Sequence, residues 1–381
     1  MMIKQLIIIL LFSVQLSAQN KDPNPHFPKV KISVSCTEDF LNTYKGKWLI
    51  PLVDASVNDY QGEVKKRVNQ IKNLIDQTYP QPTGCDALWS AVSAKKSFAD
   101  QVKYVLLEGE WKPQTVKTNP VYTWMCSLGL SSWVCHGTNE IMNGYPEIGG
   151  ASLVIRANEL GILPEEYLYG DEWTLDGRQI RKKMPVIGKW KGYDVVATNG
   201  GIYASQNDEY YVLISRDGML PYIPITRKQY LDRAVQFITK LYDGFNKKIQ
   251  ETNDALPAQF RPSKEETDRQ TTLNTKLKND GLKKLNDELK RTAGDGLLDS
   301  PAVIRIDPMF TTEGPIFQSE EQGGTMLVTE NPAYFRQDLP KYVPQLFVFS
   351  LSADPKGWSK DFKRIVEENF PVETLKSMID K

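Results

Sequence analysis

Tyr193-Asp194-Val195-Val196-Ala197-Thr198, then Asn199-Gly200-Gly201, then Glu209-Tyr210-Tyr211-Val212-Leu213-Ile214-Ser215 and Arg216-Asp217-Gly218, is the stretch that sets the fold class. Its β-branched and aromatic residues fall in short runs, separated by residues that tolerate positive φ, which is the punctuation of antiparallel strands joined by tight turns. Hairpins are expected at Asn199-Gly200-Gly201, between 193–198 and 201–204, and at Arg216-Asp217-Gly218, leading into 220–223. Pro221 and Pro224 cannot donate to a ladder, so the strand after Gly218 is expected at an edge or to end at once.

The same punctuation extends back to about residue 88. Strands are expected at 102–107, 120–127, 132–136, 152–157, 193–198, 202–205 and 209–215, preceded by Val30–Val34 and Tyr44–Ile50. Between those two groups, Val64, Val68, Ile71, Leu74 and Ile75 recur at three- and four-residue spacing. They predict a helix over 59–78 that packs on a sheet. Beyond 225 the period changes again. Thr226 caps a helix reaching about residue 252, with Leu231, Ala234, Ile238, Leu241, Phe245 and Ile249 in one stripe. After Pro257 and Pro262 a second helix, 263–292, carries the narrower stripe Leu273, Leu277, Leu282, Leu285 and Leu289 among alternating charges. The two predict an antiparallel helical hairpin, part packed and part projecting into solvent. Strands return at Ala302–Ile306, Thr325–Thr329 and Gln345–Leu351, and a helix closes the chain over Ser359–Ile379.

The class is therefore α+β: a mainly antiparallel sheet with an N-terminal packing helix, a long helical hairpin and a smaller C-terminal strand-helix unit. The expected divisions are a signal peptide at 1–18, an extended lead-in at 19–29, an α+β domain at 30–225, the hairpin at 226–292 and a C-terminal α+β segment at 300–381. The leader is read from Met1-Met2-Ile3-Lys4, the apolar run Leu6–Phe12 and the small residues Ser17-Ala18 before Gln19. It implies an exported bacterial protein, secreted or periplasmic and soluble, with no membrane anchor once the leader is cleaved. Lys plus Arg and Asp plus Glu are each 47, so no net field steers the chain to nucleic acid.

Four cysteines, Cys36, Cys85, Cys126 and Cys135, occur in the chain. In an oxidising compartment an even count reads as two disulfides, and three connectivities are possible. Short-range pairing, Cys36–Cys85 and Cys126–Cys135, is expected, the second as a bridge across a hairpin.

The chain has two histidines, His26 and His136. A three-histidine zinc site is therefore impossible, and no H-E-x-x-H, G-x-S-x-G or nucleotide loop occurs, so neither a metal nor another cofactor is expected. His136-Gly137-Thr138-Asn139-Glu140, with Gly149 and Ile155-Arg156, resembles part of the signature of L,D-transpeptidases, the cysteine enzymes that cross-link peptidoglycan. Where that family places Ser-His-Gly-Cys, this chain has Ala151-Ser152-Leu153-Val154, so the nucleophile is missing. His136, Glu140, Asp171 and Asp176 remain the candidate catalytic groups. Trp111, Trp124, Trp133 and Trp173 are the candidate ligand-stacking faces, beside the carboxylates Glu108, Glu110 and Glu172.

With structural cysteines, few histidines and no nucleophile motif, the expected function is non-catalytic binding of a protein, peptide or glycan. The alternative is an exported cell-wall or glycan-directed hydrolase or transferase, using a carboxylate pair or a divergent site near His136.

Overall fold

The structure is a computed structural model that describes residues 29–381 except 59, 95–101, 108–109, 116–120, 145–149, 160–164, 167–172, 198–207 and 306–313. In chain order the first strands are β1 (Val30–Lys31), β2 (Leu52–Val53), β3 (Cys85–Ala94), β4 (Val102–Leu107), β5 (Glu110–Thr115), β6 (Thr123–Cys135), β7 (Glu140–Gly144), β8 (Ala151–Ala157), β9 (Glu165–Glu166) and β10 (Thr174–Leu175). Then come β11 (Arg178–Gln179), β12 (Arg181–Lys182), β13 (Val186–Trp190), β14 (Tyr193–Ala197), β15 (Asp208–Ile214), β16 (Tyr222–Pro224), β17 (Val303–Ile304), β18 (Thr325–Glu330) and β19 (Phe347–Ala353). The α-helices are α1 (Glu38–Thr43), α2 (Glu63–Thr78), α3 (Arg227–Ala255), α4 (Lys264–Gly294), α5 (Gly357–Asn369) and α6 (Val372–Lys376).

The architecture is α+β. A large sheet runs in the order β1-β7-β6-β8-β19-β15-β14-β13, with β3 on the other side of β6 and β2 beyond β3. Every pairing in it is antiparallel except β2 with β3. A smaller sheet takes the order β16-β18-β12-β9, with β17 also on β18.

Alternation along the strands explains which face of the large sheet is covered. Trp124, Cys126, Leu128 and Leu130 of β6, and Ala151, Leu153, Ile155 and Ala157 of β8, point to one side and are buried. There they meet Val64, Val68, Ile71 and Ile75 of α2, Phe362 and Val366 of α5, and Val372 and Leu375 of α6. Side chains buried to this degree contribute roughly 1.5–3 kcal/mol each. The expected packing helix is α2, which starts at Glu63 rather than 59 because Gln61 and Gly62 take positive φ, 58° and 78°, and break the helical path.

The helical hairpin is α3 and α4. Thr226 and Gln229 form a capping box at the start of α3, the Thr226 Oγ1 accepting from the Gln229 N–H at 3.2 Å and the Gln229 Oε1 accepting from the Thr226 N–H at 2.8 Å. The Ser263 hydroxyl caps α4 by accepting from the Glu266 N–H at 3.1 Å. Tyr230, Leu231, Ala234 and Ile238 of α3 and Leu285 of α4 share a second core with Ile304 of β17 and Leu327 of β18. The hairpin thus rests on the smaller sheet.

Several expectations are corrected. The two strands 120–127 and 132–136 are one strand, β6, because Ser127, Gly129 and Ser131 alternate with Leu128 and Leu130 at period two instead of forming a turn. Arg216-Asp217-Gly218 does turn, with Gly218 at φ 73°, but it makes no hairpin. β15 already has β14 and β19 on its two edges, so the chain crosses to the smaller sheet, where β16 pairs with β18. The Tyr44–Ile50 run is not a ladder. It lies along β3 through single bridges, Lys45 to Thr83 and Trp48 to Ala87, and comes so close that a Cβ on Gly46 would fall 1.6 Å from the Cys85 carbonyl oxygen. The C-terminal helix divides at Pro371 into α5 and α6. The leader, the lead-in before Lys29, and the strand and turn expected at 199–205 lie outside the described residues.

The disulfide pairing is also corrected: the bond is Cys36–Cys135, with Cα atoms 5.7 Å apart. Cys126 and Cys135 lie nine residues apart along one strand, about 30 Å at ~3.4 Å per residue, and cannot bridge. β1 pairs with β7 and the Cys36 N–H donates to the Thr138 carbonyl at 2.7 Å, which carries Cys36 to the end of β6. Cys85 and Cys126 are free and buried. Burial pushes the Cys85 thiol up to about 12, and raises the Cys126 thiol as well. Native protein should accordingly show no thiol reactive toward an aromatic disulfide reagent, and two after denaturation without reductant. Four would mean that the Cys36–Cys135 bond is absent, and its removal by double Ser substitution should cost about 2–5 kcal/mol in a denaturant titration.

Candidate ligand cleft at the edge of the large sheet

β13 and β14 form the last hairpin of the large sheet, turning through Lys191 and Gly192 at φ 49° and 91°, the two positive values that a tight two-residue turn requires. The turn is anchored to the end of α5. The Trp190 indole N–H donates to the Glu367 carbonyl at 2.9 Å, and the Lys191 ammonium donates to the carbonyls of Glu368 and Phe370 at 2.9 and 2.8 Å. A lysine there satisfies carbonyls that the helix end leaves without partners and complements its partial negative charge.

Beside this hairpin lies a cleft of about 640 Å³. Its apolar part is Met184, Val196 and Leu213, continuous with a third core that includes Tyr211, Tyr334 and Val348. Its rim carries Lys183, Lys189, Lys191, Arg216 and Lys376 against Asp194, Asp217 and Glu373, five cationic groups to three carboxylates. Each carboxylate is engaged. Asp194 pairs with Lys189, Asp217 with Lys376, and Glu373 accepts from the Tyr193 hydroxyl at 2.9 Å. Burial, then the hydrogen bond to Glu373, holds the Tyr193 phenol above its ordinary range, while Lys376 opposes the shift. The bond to Asp217 raises the Lys376 ammonium.

Arg216 is tied back into the fold. Its guanidinium stacks over the Tyr334 ring at 4.4 Å, donates to the Gln345 Oε1 at 2.8 Å and faces Asp380 at 3.2 Å. Gln345 is fully buried, and its side chain also accepts from the Arg336 N–H at 2.7 Å and donates to the Arg336 carbonyl at 3.0 Å. Arg216 is therefore rigid. Lys376 and Asp217 are not held in that way: the Asp217 side chain is 89% exposed, and an exposed pair contributes only about 0–1 kcal/mol. An incoming anion can take Lys376 from Asp217 at little cost.

The residues expected from sequence lie elsewhere. His136 and Glu140 close the β6–β7 turn, where the His136 N–H donates to the Glu140 carbonyl at 2.8 Å. His136 is exposed, outside the cleft. Asp176 occupies a turn at φ 52° between β10 and β11, 3.7 Å from Arg178. Asp171, Glu172 and Glu108 lie outside the described residues, as do the side chains of Glu110 and Trp111. The other candidate tryptophans are core residues, with no face left for a ligand. The Trp124 N–H donates to the Tyr342 carbonyl at 3.1 Å, the Trp133 N–H donates to the buried Asp86 at 3.2 Å, and Trp173 packs on Tyr230 and Phe237. Val154, which stands where the transpeptidase cysteine would, is a mid-strand residue of β8 between Ser127 and Ser350. Among the described residues no group of three or more His, Cys, Asp or Glu is placed to hold a metal. No helix there is long and apolar enough to cross a membrane.

Tyr193, Asp194, Val196, Leu213, Arg216, Asp217 and Gly218 stand out in the sequence as strand and turn residues, and nothing there marks them as a site. The one local trace is Lys189-Trp190-Lys191 before a turn glycine. Asp217 and Lys376 are 159 positions apart and carry no shared signal. Comparison with known proteins returns nothing: no family model, no curated protein and no solved structure matches the chain. Replacing Asp217 with Asn should leave the thermal midpoint nearly unchanged, the stability moving by less than about 1 kcal/mol, while freeing Lys376. A larger loss in a denaturant titration would show that the pair holds the cleft together.

Proposed function

We propose that the protein is an exported, non-catalytic binding protein whose sheet-edge cleft takes a small anionic ligand with an apolar portion. The observation that carries this reading is the lining itself: apolar Met184, Val196 and Leu213 beside Lys191 and Lys376, the cations of the cleft left for a ligand once Lys183, Lys189 and Arg216 are paired with Glu320, Asp194 and Asp380. A mostly apolar concavity with a few converging polar groups is the usual form of a small-molecule site. Lys191 supplies charge held only by carbonyl oxygens, and Lys376 supplies charge held by one exposed carboxylate. The carboxylates are engaged by Lys189, Lys376 and Tyr193, so the cleft offers no free acid pair of the kind glycoside hydrolysis uses. Export is supported by the leader pattern of residues 1–18 together with the Cys36–Cys135 bond, since disulfides persist in oxidising compartments.

Thermal unfolding of the purified protein against aliphatic dicarboxylates, acyl-amino acids, uronic acids and matched neutral sugars tests it. Ligand at one hundred times its dissociation constant adds about 2.7 kcal/mol and should raise the midpoint by a few degrees. The shift should appear with the anionic compounds, fall with salt and shrink at least about tenfold in affinity in Lys376→Ala. A shift with neutral sugar alone, or one indifferent to Lys376→Ala, would overturn the assignment of the cleft.

A further inference from the structure

We infer that the projecting half of the α3–α4 hairpin is a dimerisation arm, docking antiparallel on the same arm of a second copy of this chain. Three observations carry it. First, the arm is built with its polarity inverted. Its inter-helix seam is polar: the Asn274 amide donates to the Asn246 Oδ1 at 2.9 Å, the Asn253 amide to the Thr267 hydroxyl at 2.9 Å, and the Lys278 ammonium to Asp243 at 2.7 Å. The apolar side chains that would normally fill such a seam are outside it, with Leu273 54%, Leu277 39% and Phe245 39% exposed. A hairpin with no further partner gains nothing from that arrangement, whereas polar layers inside a helical assembly fix its register.

Second, a groove of about 390 Å³ runs along the arm, with Phe245 and Ile249 on the α3 wall and Glu266 and Gln270 on the α4 wall. Positions 266, 270, 273 and 277 follow the four-three-four spacing of one helix face, so the groove opens on the side that carries Leu273 and Leu277. A third helix laid there would cover both walls.

Third, that face of α4 is complementary to itself. About a point midway between Leu273 and Leu277, a two-fold axis brings each leucine opposite the other of the partner. The same operation sets Glu266 against the partner's Lys284, one such ion pair on each side of the axis. A two-fold contact requires such self-complementarity, and a binding face for an unrelated helix has no reason to show it. The overlap, residues 266–284 on each chain, is about 28 Å long at ~1.5 Å per residue. The intrachain contact of Arg269 with Glu266, 2.8 Å apart on adjacent turns, is an exposed pair that exchanges readily.

Sedimentation of the full chain across a concentration series tests the arm. The expected result is a dimer at micromolar concentration that Leu273→Glu with Leu277→Glu converts to monomer, weakening self-association at least about tenfold. The thermal midpoint and helix content of that variant, measured at a concentration where both proteins are monomeric, should match the unsubstituted chain, because neither leucine is in a core. Glu266→Lys should weaken the dimer, and adding Lys284→Glu should restore it. A chain that stays monomeric at high concentration, a dimer insensitive to both leucines, or capture of a foreign helix by a monomeric arm would each overturn the proposal.

Discussion

The large sheet depends on the unbroken run of β6. Its thirteen residues pair with β3 along one edge and, on the other, first with β8 and then with β7. Because side chains alternate, one continuous strand forces Trp124, Cys126, Leu128 and Leu130 onto the helix-covered face and Met125, Ser127, Gly129 and Ser131 onto the other. A turn inserted near Gly129 would break that register and separate α2 from half of its core. The same continuity decides the cysteine chemistry. It holds Cys126 deep under α2 and carries Cys135 out to the strand end, where β1 and β7 deliver Cys36.

The cleft is a consequence of where the two sheets part company. β15 is paired on both edges, so after Ile214 the chain must leave the large sheet, and it does so through Arg216, Asp217 and Gly218 into β16. The chain also crosses between the sheets from β12 to β13, through Met184. Two exits side by side leave a concavity that neither sheet fills. What fixes its shape is the buried Gln345, which ties Arg216 to the loop before β19, and the Tyr334 hydroxyl, which donates to the Gln345 carbonyl at 2.6 Å. Removing a partner from that knot would leave buried polar groups unpaired, at about 1–3 kcal/mol each.

The helices and the fold class could be read from the sequence because their signals are local. Val64, Val68, Ile71 and Ile75 carry their own period, and Thr226 and Ser263 cap the helices whose starts they mark. Strand partners were less legible, because pairing is decided by whole-sheet geometry. β19 lies between β8 and β15, although more than 130 residues separate it from β15 in the chain. Composition also misled at β6, where serine and glycine usually mark turns but here line the open face of a strand, and the error in strand count produced the error in disulfide pairing. The cleft left no trace in the sequence beyond Lys189-Trp190-Lys191. Its residues come from four separated stretches, 183–196, 213–222, 373 and 376, and acquire meaning only when the two sheets diverge.

The two regions left most open, the cleft rim and the hairpin arm, share a physical trait that the cores lack. In the cores, apolar side chains are satisfied by neighbours in the same chain and polar groups such as Asp86, Gln345 and Asn158 are fully bonded. On the rim and the arm the charged pairs are exposed and exchangeable, while apolar groups such as Met219, Leu220, Leu273 and Leu277 remain in contact with water. Exposed ion pairs add little to stability, and exposed leucines add none. Neither set of residues is explained by folding. Exchangeable charge beside uncovered apolar surface is, however, what association requires, because the charge sets orientation and the apolar area supplies the free energy. On the two proposals made here, folding and binding interactions would occupy different places, and a substitution at Lys376 or Leu273 would remove one kind without disturbing the other.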